Sequence, residues 1–353
     1  MRELPVPTLK DVALKSGVHV GTASRALSGD QYHLVSEATR ARVRSVAEEL
    51  GYSTNAVAQS LRKGTTGALG IVVADLDNSF IVAVIRGIEH ESRGRDYMSL
   101  VAETQDDPRT LRDVVTRLLR NQVDAIILSA ARVTDEEFVS ELEQRVPVVL
   151  AVRGFTQASE SEDDSRHVEV LQDDYVGSRA AANHLMALGH TRIAQLPGPP
   201  QIYSFAGRSE GYRAALALHP DVIDVSTGAF ALESSLAEGR RLAADLLRLQ
   251  PALRPTAIFA HNDLMAVGAL DALRDAGLRC PVDVSVIGYN DAPLIDHIDP
   301  PLTTVRLPGF ELGRHSARMA FSLIDGVTPT RSRIMLAPEL VDRKSTTPPR
   351  QLA

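Results

Sequence analysis

The run Gly207-Arg208-Ser209-Glu210-Gly211 has the G-x-S-x-G spacing that presents a serine nucleophile on a strand-to-helix turn for acyl transfer. That chemistry needs a strand leading directly into the serine and a histidine to take its proton. His219, His261, His297 and His315 do follow, but the loop PGPPQIYSFA separates Ser209 from the apolar run TRIAQL. Ser209 therefore reads as the first turn of a helix over 209–218. The ten histidines show no metal-ligand spacing; His184 and His190 stand six apart and share no helix face. Cys280 is the single cysteine, which excludes an internal disulfide and a cysteine-cluster metal site. There is no GxxxxGK[ST] phosphate loop, no strand-GxGxxG-helix unit and no HExxH. Kinase, dehydrogenase and metalloprotease readings lack their chemistry, and the expectation is no catalytic residue, no metal and no cofactor.

A second group of side chains has a use that is not catalytic. Thr8-Leu9-Lys10-Asp11 reads as a capping box that starts a helix at Leu9. Leu9, Val12 and Ala13 share one face, Gly17 allows the turn, and apolar periodicity resumes at Ala23, Ala26 and Leu27. A third helix fits Glu37 to Leu50, with Ser36 as N-cap, Val43, Val46, Ala47 and Leu50 inward and Gly51 at the stop. The first pair, 9 to 15 and 20 to 27, has the form of a helix-turn-helix, whose second helix offers its N-terminal side chains to base edges in the DNA major groove. Val20, Gly21, Thr22 and Arg25 stand there. Asn55 to Gly64 is a further helical segment too short to fold alone in water.

These elements belong to a chain of 353 residues, 44% hydrophobic and 24% charged, enough for two or three domains and incompatible with a disordered or collagen-like chain. The net charge of -7 conceals an asymmetry. Residues 1–64 hold nine Lys/Arg against six Asp/Glu, so a basic head precedes an acidic body. The N-terminus has no apolar leader and no window of about 18 apolar residues follows, so a cytoplasmic chain with no membrane partner is expected.

From Ala68 the pattern changes to short β-branched runs alternating with amphipathic helices. ALGIVVA, YMSLVA, DAIILSA and PVVLAV form one series; HVEVL, TRIAQL, TAIFA and DVSVIGY form a second. Helices are expected near 80–93, 108–121, 134–144, 175–188, 209–218, 234–249, 263–276 and 309–324. Such alternation means parallel sheets with crossover helices, here in two α/β lobes. The run RIMLAPELV is left over, as a chain crossing back between lobes would leave it. Ser159 to Asp164 reads as an acidic solvent loop.

TLKDVALKSGVHVGTASRALSG followed by ELGYSTNAVAQSLRKG resembles the head and hinge helix of the LacI/GalR family of bacterial transcriptional regulators. DLDNSF, HLMALGHTRIAQLPGP, RSEGY, TAIFAHNDLMAVGALDALRDAG, PVDVSVIGYND and PPLTTV resemble the periplasmic-binding-protein-like core of that family, and the similarity runs from Leu9 to Ser345. The resemblance implies base-edge contacts from Val20, Gly21 and Thr22, with Ser24 and Arg25 near the backbone or an adjacent base. It also implies a hinge carrying Asn55 and Ala58, and Leu61 wedged into the central minor-groove step. Thr8 and His19 complete the expected DNA-binding set, with His19 where the family usually has a capping serine.

By the same resemblance the effector lies between the lobes, outside the C-terminal ends of the strands, against Asn78, Phe80, Arg208, Phe230, Asn262 and Asn290. Amides and a guanidinium suit vicinal hydroxyls or a carboxylate, and a phenyl face suits a sugar or a base. Asn290 stands in GYND where the family usually has an acid, so the pocket is expected to be less negative. A neutral or anionic ligand such as a sugar, sugar acid or sugar phosphate follows, with a purine co-repressor as the alternative. A hydrolase and a transport-type solute-binding protein are the remaining rivals.

The expected organisation is an all-α helix-turn-helix head over 1–54, a hinge helix over 55–64, an α/β two-lobed core over 65–347 and a tail over 348–353. Lobe 1 is placed at about 65–172 and 304–331, lobe 2 at about 173–303 and 332–347. The expected function is a repressor of double-stranded operator DNA acting as a homodimer, since STTPPRQLA carries no leucine heptad for a larger assembly.

Overall fold

The computed structural model describes residues 7–27, 34–52, 65–155 and 166–350. Asn55, Ala58 and Leu61 of the expected hinge, and the acidic loop 159–164, lie outside the described residues. The chain divides into two units, 1–66 and 67–353.

In the first unit, helices α1 (Leu9–Ser16), α2 (Val20–Leu27) and α3 (Glu37–Leu50) fall where their caps and periodicity place them. The Thr8 box is closed: the Asp11 amide donates to Thr8 Oγ1 at 3.4 Å and the Thr8 amide to Asp11 Oδ2 at 2.8 Å. Thr8's hydrogen bonds hold the Asp11 carboxyl below its ordinary pKa. Gly17 and Gly51 end α1 and α3 at φ 62° and 65°, a left-handed conformation that costs glycine nothing. Val12, Ala13, Ala23, Ala26, Val43 and Ala47 form a small core shared by the three helices. So few buried side chains contribute little stability, which makes the caps count.

The second unit contains two six-stranded sheets. Lobe 1 carries β1 (Ala68–Val73), β2 (Met98–Glu103), β3 (Ala125–Leu128), β4 (Val148–Ala151), β5 (Glu169–Gln172) and β11 (Arg333–Leu336), in the order β11-β5-β4-β3-β1-β2 and all parallel. Its helices are α4 (Ser79–Arg93), α5 (Pro108–Arg120), α6 (Glu136–Glu143) and α11 (Gly309–Ile324). Lobe 2 carries β6 (Arg192–Leu196), β7 (Ile223–Asp224), β8 (Ala257–Ala260), β9 (Ser285–Asn290), β10 (Thr303–Arg306) and β12 (Glu339–Val341), in the order β12-β10-β9-β8-β6-β7 with β12 antiparallel. Its helices are α7 (Asp174–Ala187), α8 (Tyr203–Leu216), α9 (Leu236–Leu247) and α10 (Asp263–Asp275). The central strands β1, β3 and β4 are buried along their whole length, as strands covered by helices on both faces must be.

Two expectations are corrected. The expected lobe boundaries at 304 and 332 each fall too early, because β10 pairs with β9 in lobe 2 and β11 pairs with β5 in lobe 1. The chain crosses after β10 and after β11, where Pro308 and Pro338 end the strands. Helix α8 begins at Tyr203, immediately after the loop containing Pro199 and Pro200, so Ser209 sits in its second turn. Inside lobe 1, Arg333 Nε donates to Glu169 Oε2 at 2.9 Å with both side chains fully buried, tying the returning strand to the sheet.

Candidate functional site

Between the lobes, at the C-terminal ends of the strands, lies a cavity of about 560 Å³. Asn78, Phe80, Arg208, Asn262 and Asn290 all line it. Phe230 does not: it is 44% exposed and lines a separate groove on lobe 2 with Ser209, Glu210 and Arg213. The loop preceding α9 reaches the cleft with Leu232, Glu233 and Ser234 instead.

Two of the three amides owe their position to a helix start. Asn78 Oδ1 accepts from the Phe80 amide at 3.1 Å and opens α4. Asn262 Oδ1 accepts from the Met265 amide at 2.8 Å and opens α10, while its Nδ2 donates to the Ser234 carbonyl at 3.3 Å. The capping oxygens are therefore committed, and what these residues offer a ligand is the remaining amide hydrogens. Asn290, at the end of β9, differs. Its φ is 114°, and its Oδ1 is buried without a hydrogen-bond partner.

Arg208 is held in place rather than left open. Nε donates to Asp174 Oδ1 at 2.8 Å and Nη1 donates to the His261 carbonyl. The guanidinium carbon lies 3.9 Å above the Tyr289 ring and 5.1 Å from that of Phe205. Burial pushes the Asp174 carboxyl up, and Arg208 pulls it back. Gln172 Nε2 continues the network, donating to Asp174 Oδ2 at 2.8 Å and to the Val152 carbonyl at 3.0 Å. Behind the site, the Gly198 amide donates to His261 Nδ1, so the proton on Nε2 faces Gln195 Oε1 at 3.0 Å. Burial and then Arg208 hold the His261 pKa far down. Asp263 accepts from Thr304 Oγ1 at 2.6 Å and from the Ala292 amide at 2.7 Å, and its burial raises its pKa to about 7.

The charged lining of the cleft is mixed. Asp75, Asp77, Glu103, Asp106 and Glu233 line the cleft against three cations, Arg132, Arg153 and Arg208. Asp174 supplies the carboxylate beside Arg208, and Asp291 bonds to Arg306 at 2.6 Å and Arg343 at 2.7 Å. Burial, followed by the charges of Asp77, Glu103 and Asp106, raises the Asp75 pKa. Asparagine at 290 therefore sits in a cleft that retains other carboxylates.

Arg132, Arg153 and the acids were missed by motif reading. Except for Glu233, which comes from the lobe 2 loop before α9, all lie at or just beyond the ends of β1 to β4, where applying the strand-end rule to every strand of lobe 1 would have found them. Asp106 organises them: its carboxylate receives Arg153 and its carbonyl receives Arg132 Nη2, while Arg132 Nε is buried without a partner. Gln105 and Asp106 have φ of 52° and 56°, and the β-branched Val152 has 70°, so left-handed backbone gathers at the cleft wall.

On the first unit, Val20, Gly21, Thr22 and Ser24 are partly exposed on α2, and His19 and Arg25 are exposed. His19 fills the serine's place as a cap: the Gly21 amide donates to its Nδ1 at 3.1 Å. A Cβ at position 21 would stand 3.3 Å from that nitrogen, so the bare glycine and the capping ring accommodate each other. Among the described residues no group of three or more His, Cys, Asp or Glu could hold a metal ion, and no helix is long and apolar enough to cross a membrane.

Residues 8–55 match the family model for bacterial regulatory proteins of the lacI family, and residues 182–346 match that of a periplasmic binding protein-like domain. The ribose operon repressor of Escherichia coli K12 is 33% identical over 343 residues, covering 96% of this chain and 99% of that protein. The lac repressor dimer bound to operator and the anti-inducer ONPF superposes with a TM-score of 0.83 at 26% identity, covering 97% of this chain and 99% of that one. A LacI-family regulator from Enterococcus faecium with bound ribose superposes with a TM-score of 0.67 at 27% identity, covering 80% of this chain and 100% of that one. With a helix-turn-helix head and a two-lobed periplasmic-binding-protein-like core, the chain belongs to the lacI family of bacterial regulatory proteins and is a DNA-binding transcriptional regulator.

Proposed function

We propose that this protein is a cytoplasmic repressor that binds a pseudo-palindromic operator as a homodimer and answers to a neutral sugar held between its lobes. The observation that carries the ligand class is the cleft's polar complement. Arg132 Nε and Asn290 Oδ1 are buried donor and acceptor atoms without partners, and the acids of the wall oppose an anion. A hydroxyl donates and accepts at once, so a polyol satisfies both kinds of group without adding charge. The ribose operon repressor and the ribose-bound relative put a pentose first among candidates.

The protein acts by binding rather than by catalysis on this reading. Ser209 lies in the second turn of α8, and among the described residues it makes no hydrogen bond to a histidine. For the DNA, Val20, Gly21, Thr22 and Arg25 face base edges, Thr8, His19 and Ser24 support the helix and its backbone contacts, and Asn55, Ala58 and Leu61 form the hinge. Two heads related by a two-fold axis meet half-sites about one helical turn apart. The effector shifts operator affinity through its preference for one arrangement of the lobes.

A thermal-shift screen of the full-length protein tests the ligand class. At about 100 times its Kd an effector adds roughly 2.7 kcal/mol, and each kcal/mol moves Tm by about 2–4 °C in a protein of this order of size. Neutral pentoses and hexoses should raise Tm, and their phosphate esters should not. A phosphate ester or purine that raises Tm while every neutral sugar leaves it unmoved would overturn the neutral-sugar reading.

A further inference from the structure

The lobes meet on both sides of the cleft. On the hinge side the crossing strands join them. On the open side, the Val133 backbone N–H of lobe 1 donates to the Gln201 carbonyl of lobe 2 at 3.2 Å. Val133 begins the short 3-10 turn Val133–Asp135, a position whose amide has no partner within its own turn. It is 43% exposed, so without Gln201 this amide would face water. The residue before it is Arg132, whose own amide donates to Asp135 Oδ2 at 3.0 Å and whose Nη2 donates to the Asp106 carbonyl. Its Nε is buried without a partner, and both Arg132 and Gln201 line the cleft. Two adjacent residues thus combine an unsatisfied side-chain donor, on a residue that lines the cavity, with a hydrogen bond that spans the cleft.

We propose that Arg132–Val133 is a ligand-sensing latch: Arg132 Nε donates to an oxygen of the bound sugar, and the segment so fixed holds the Val133 amide on Gln201 and the lobes closed. This rests on the cleft being the effector site. A buried donor left unpaired is unfavourable, so a ligand that satisfies it binds the latched arrangement better than the open one, which is the differential affinity that moves an equilibrium. Arg132 then belongs to the effector contacts alongside Asn290, and Val133 acts through the backbone as a positioning residue.

Hydrogen exchange on the full-length protein tests the latch with and without ligand. Val133→Pro removes the one N–H and fits locally, since the residue opens a turn and Arg132 is extended at φ -101°, ψ 161°, as a residue before proline must be. In ligand-free wild type the Val133 amide should exchange roughly fivefold or more slowly than an unprotected amide, as one net hydrogen bond implies. Val133→Pro should speed exchange in the loop 198–202 and leave β3 and β8 unchanged. D-ribose at saturation should slow Val133 further in wild type, and Arg132→Met should lose both that effect and most of the affinity for D-ribose. An unprotected Val133 amide, an unchanged loop in Val133→Pro, or equal D-ribose binding by Arg132→Met and wild type would each overturn the latch. If no sugar in the panel binds wild type, it is the effector reading that fails, and the ligand-free exchange alone decides whether Val133 closes the cleft.

Discussion

Removing the Arg208 side chain strips the countercharge from Asp174, which sits fully buried behind it. Breaking such a pair costs about 3–5 kcal/mol, so Arg208→Ala should unfold at markedly lower denaturant as well as lose its effector response. A midpoint equal to wild type would show that Asp174 finds another partner. Asn290 gives a cleaner dissection of binding. Glycine adopts its φ of 114° without strain, and its Oδ1 has no partner to lose, so Asn290→Gly should stay within about 1 kcal/mol of wild type in stability. Its affinity for the effector, by calorimetry, should fall by roughly tenfold or more, the loss of one or two hydrogen bonds to ligand. His190 supplies a pH test. Burial holds it neutral, with its pKa down at about 4, while its ring bonds Thr256 Oγ1 and the Thr347 carbonyl, each at 2.9 Å. A folded pKa below the unfolded 6.5 means the unfolded chain takes the proton first, so this contribution is full above about 6.5 and is lost as pH falls toward 4. The Tm advantage of wild type over His190→Gln should therefore be greatest near neutrality and narrow toward pH 4; a constant gap would contradict it. At this scale the motifs located five of six cleft residues. They could not tell that the oxygens of Asn78 and Asn262 are spent on helix caps, nor that Phe230 faces another groove, because both depend on where the next loop folds.

Elements were more legible than residues, since periodicity and capping are local. The Thr8 box, Ser36, Gly17 and Gly51 mark helix ends by chemistry confined to a few residues, and the helices are found there. The start of α8 was obscured because PGPPQIYSFA looks like a loop up to its aromatics, whereas Tyr203 and Phe205 are buried helical residues. Lobe membership of β10 and β11 was obscured for another reason: a strand's partners are not written in its own residues. His19 and Gly21, each a departure when read singly, form one cap. His19→Ala should cost the head about 0.5–2 kcal/mol, the usual worth of an N-cap, and weaken operator binding accordingly. Unchanged head stability would deny the ring that role. Close packing of α4 on α11 makes a second test. A Cβ on Gly313 would stand 1.9 Å from the Val84 carbonyl oxygen, so Gly313→Ala must push the helices apart and should lower stability by about 1–3 kcal/mol or more in chemical denaturation.

Over the whole molecule, the charge asymmetry of the sequence divides along its functions: a basic head for phosphates and an acidic core around a cleft lined by more carboxylates than cations. The composition told where nucleic acid would bind, but the sign of the cleft emerged only with the lobes assembled, because its acids arrive from the ends of β1 and β2 in one lobe and from the loop before α9 in the other. The head and the cleft are parts of one regulator only if sugar occupancy changes operator affinity, and that link is the central claim. The measurement that tests it most directly is the capture and sequencing of host genomic fragments bound by purified full-length protein, with and without a pool of neutral sugars. The account predicts enrichment of short pseudo-palindromic sites with half-sites about one helical turn apart, and a change of roughly 5- to 150-fold in their occupancy when the sugars are added. Enrichment that is absent, or present and indifferent to every sugar in the pool, would contradict it.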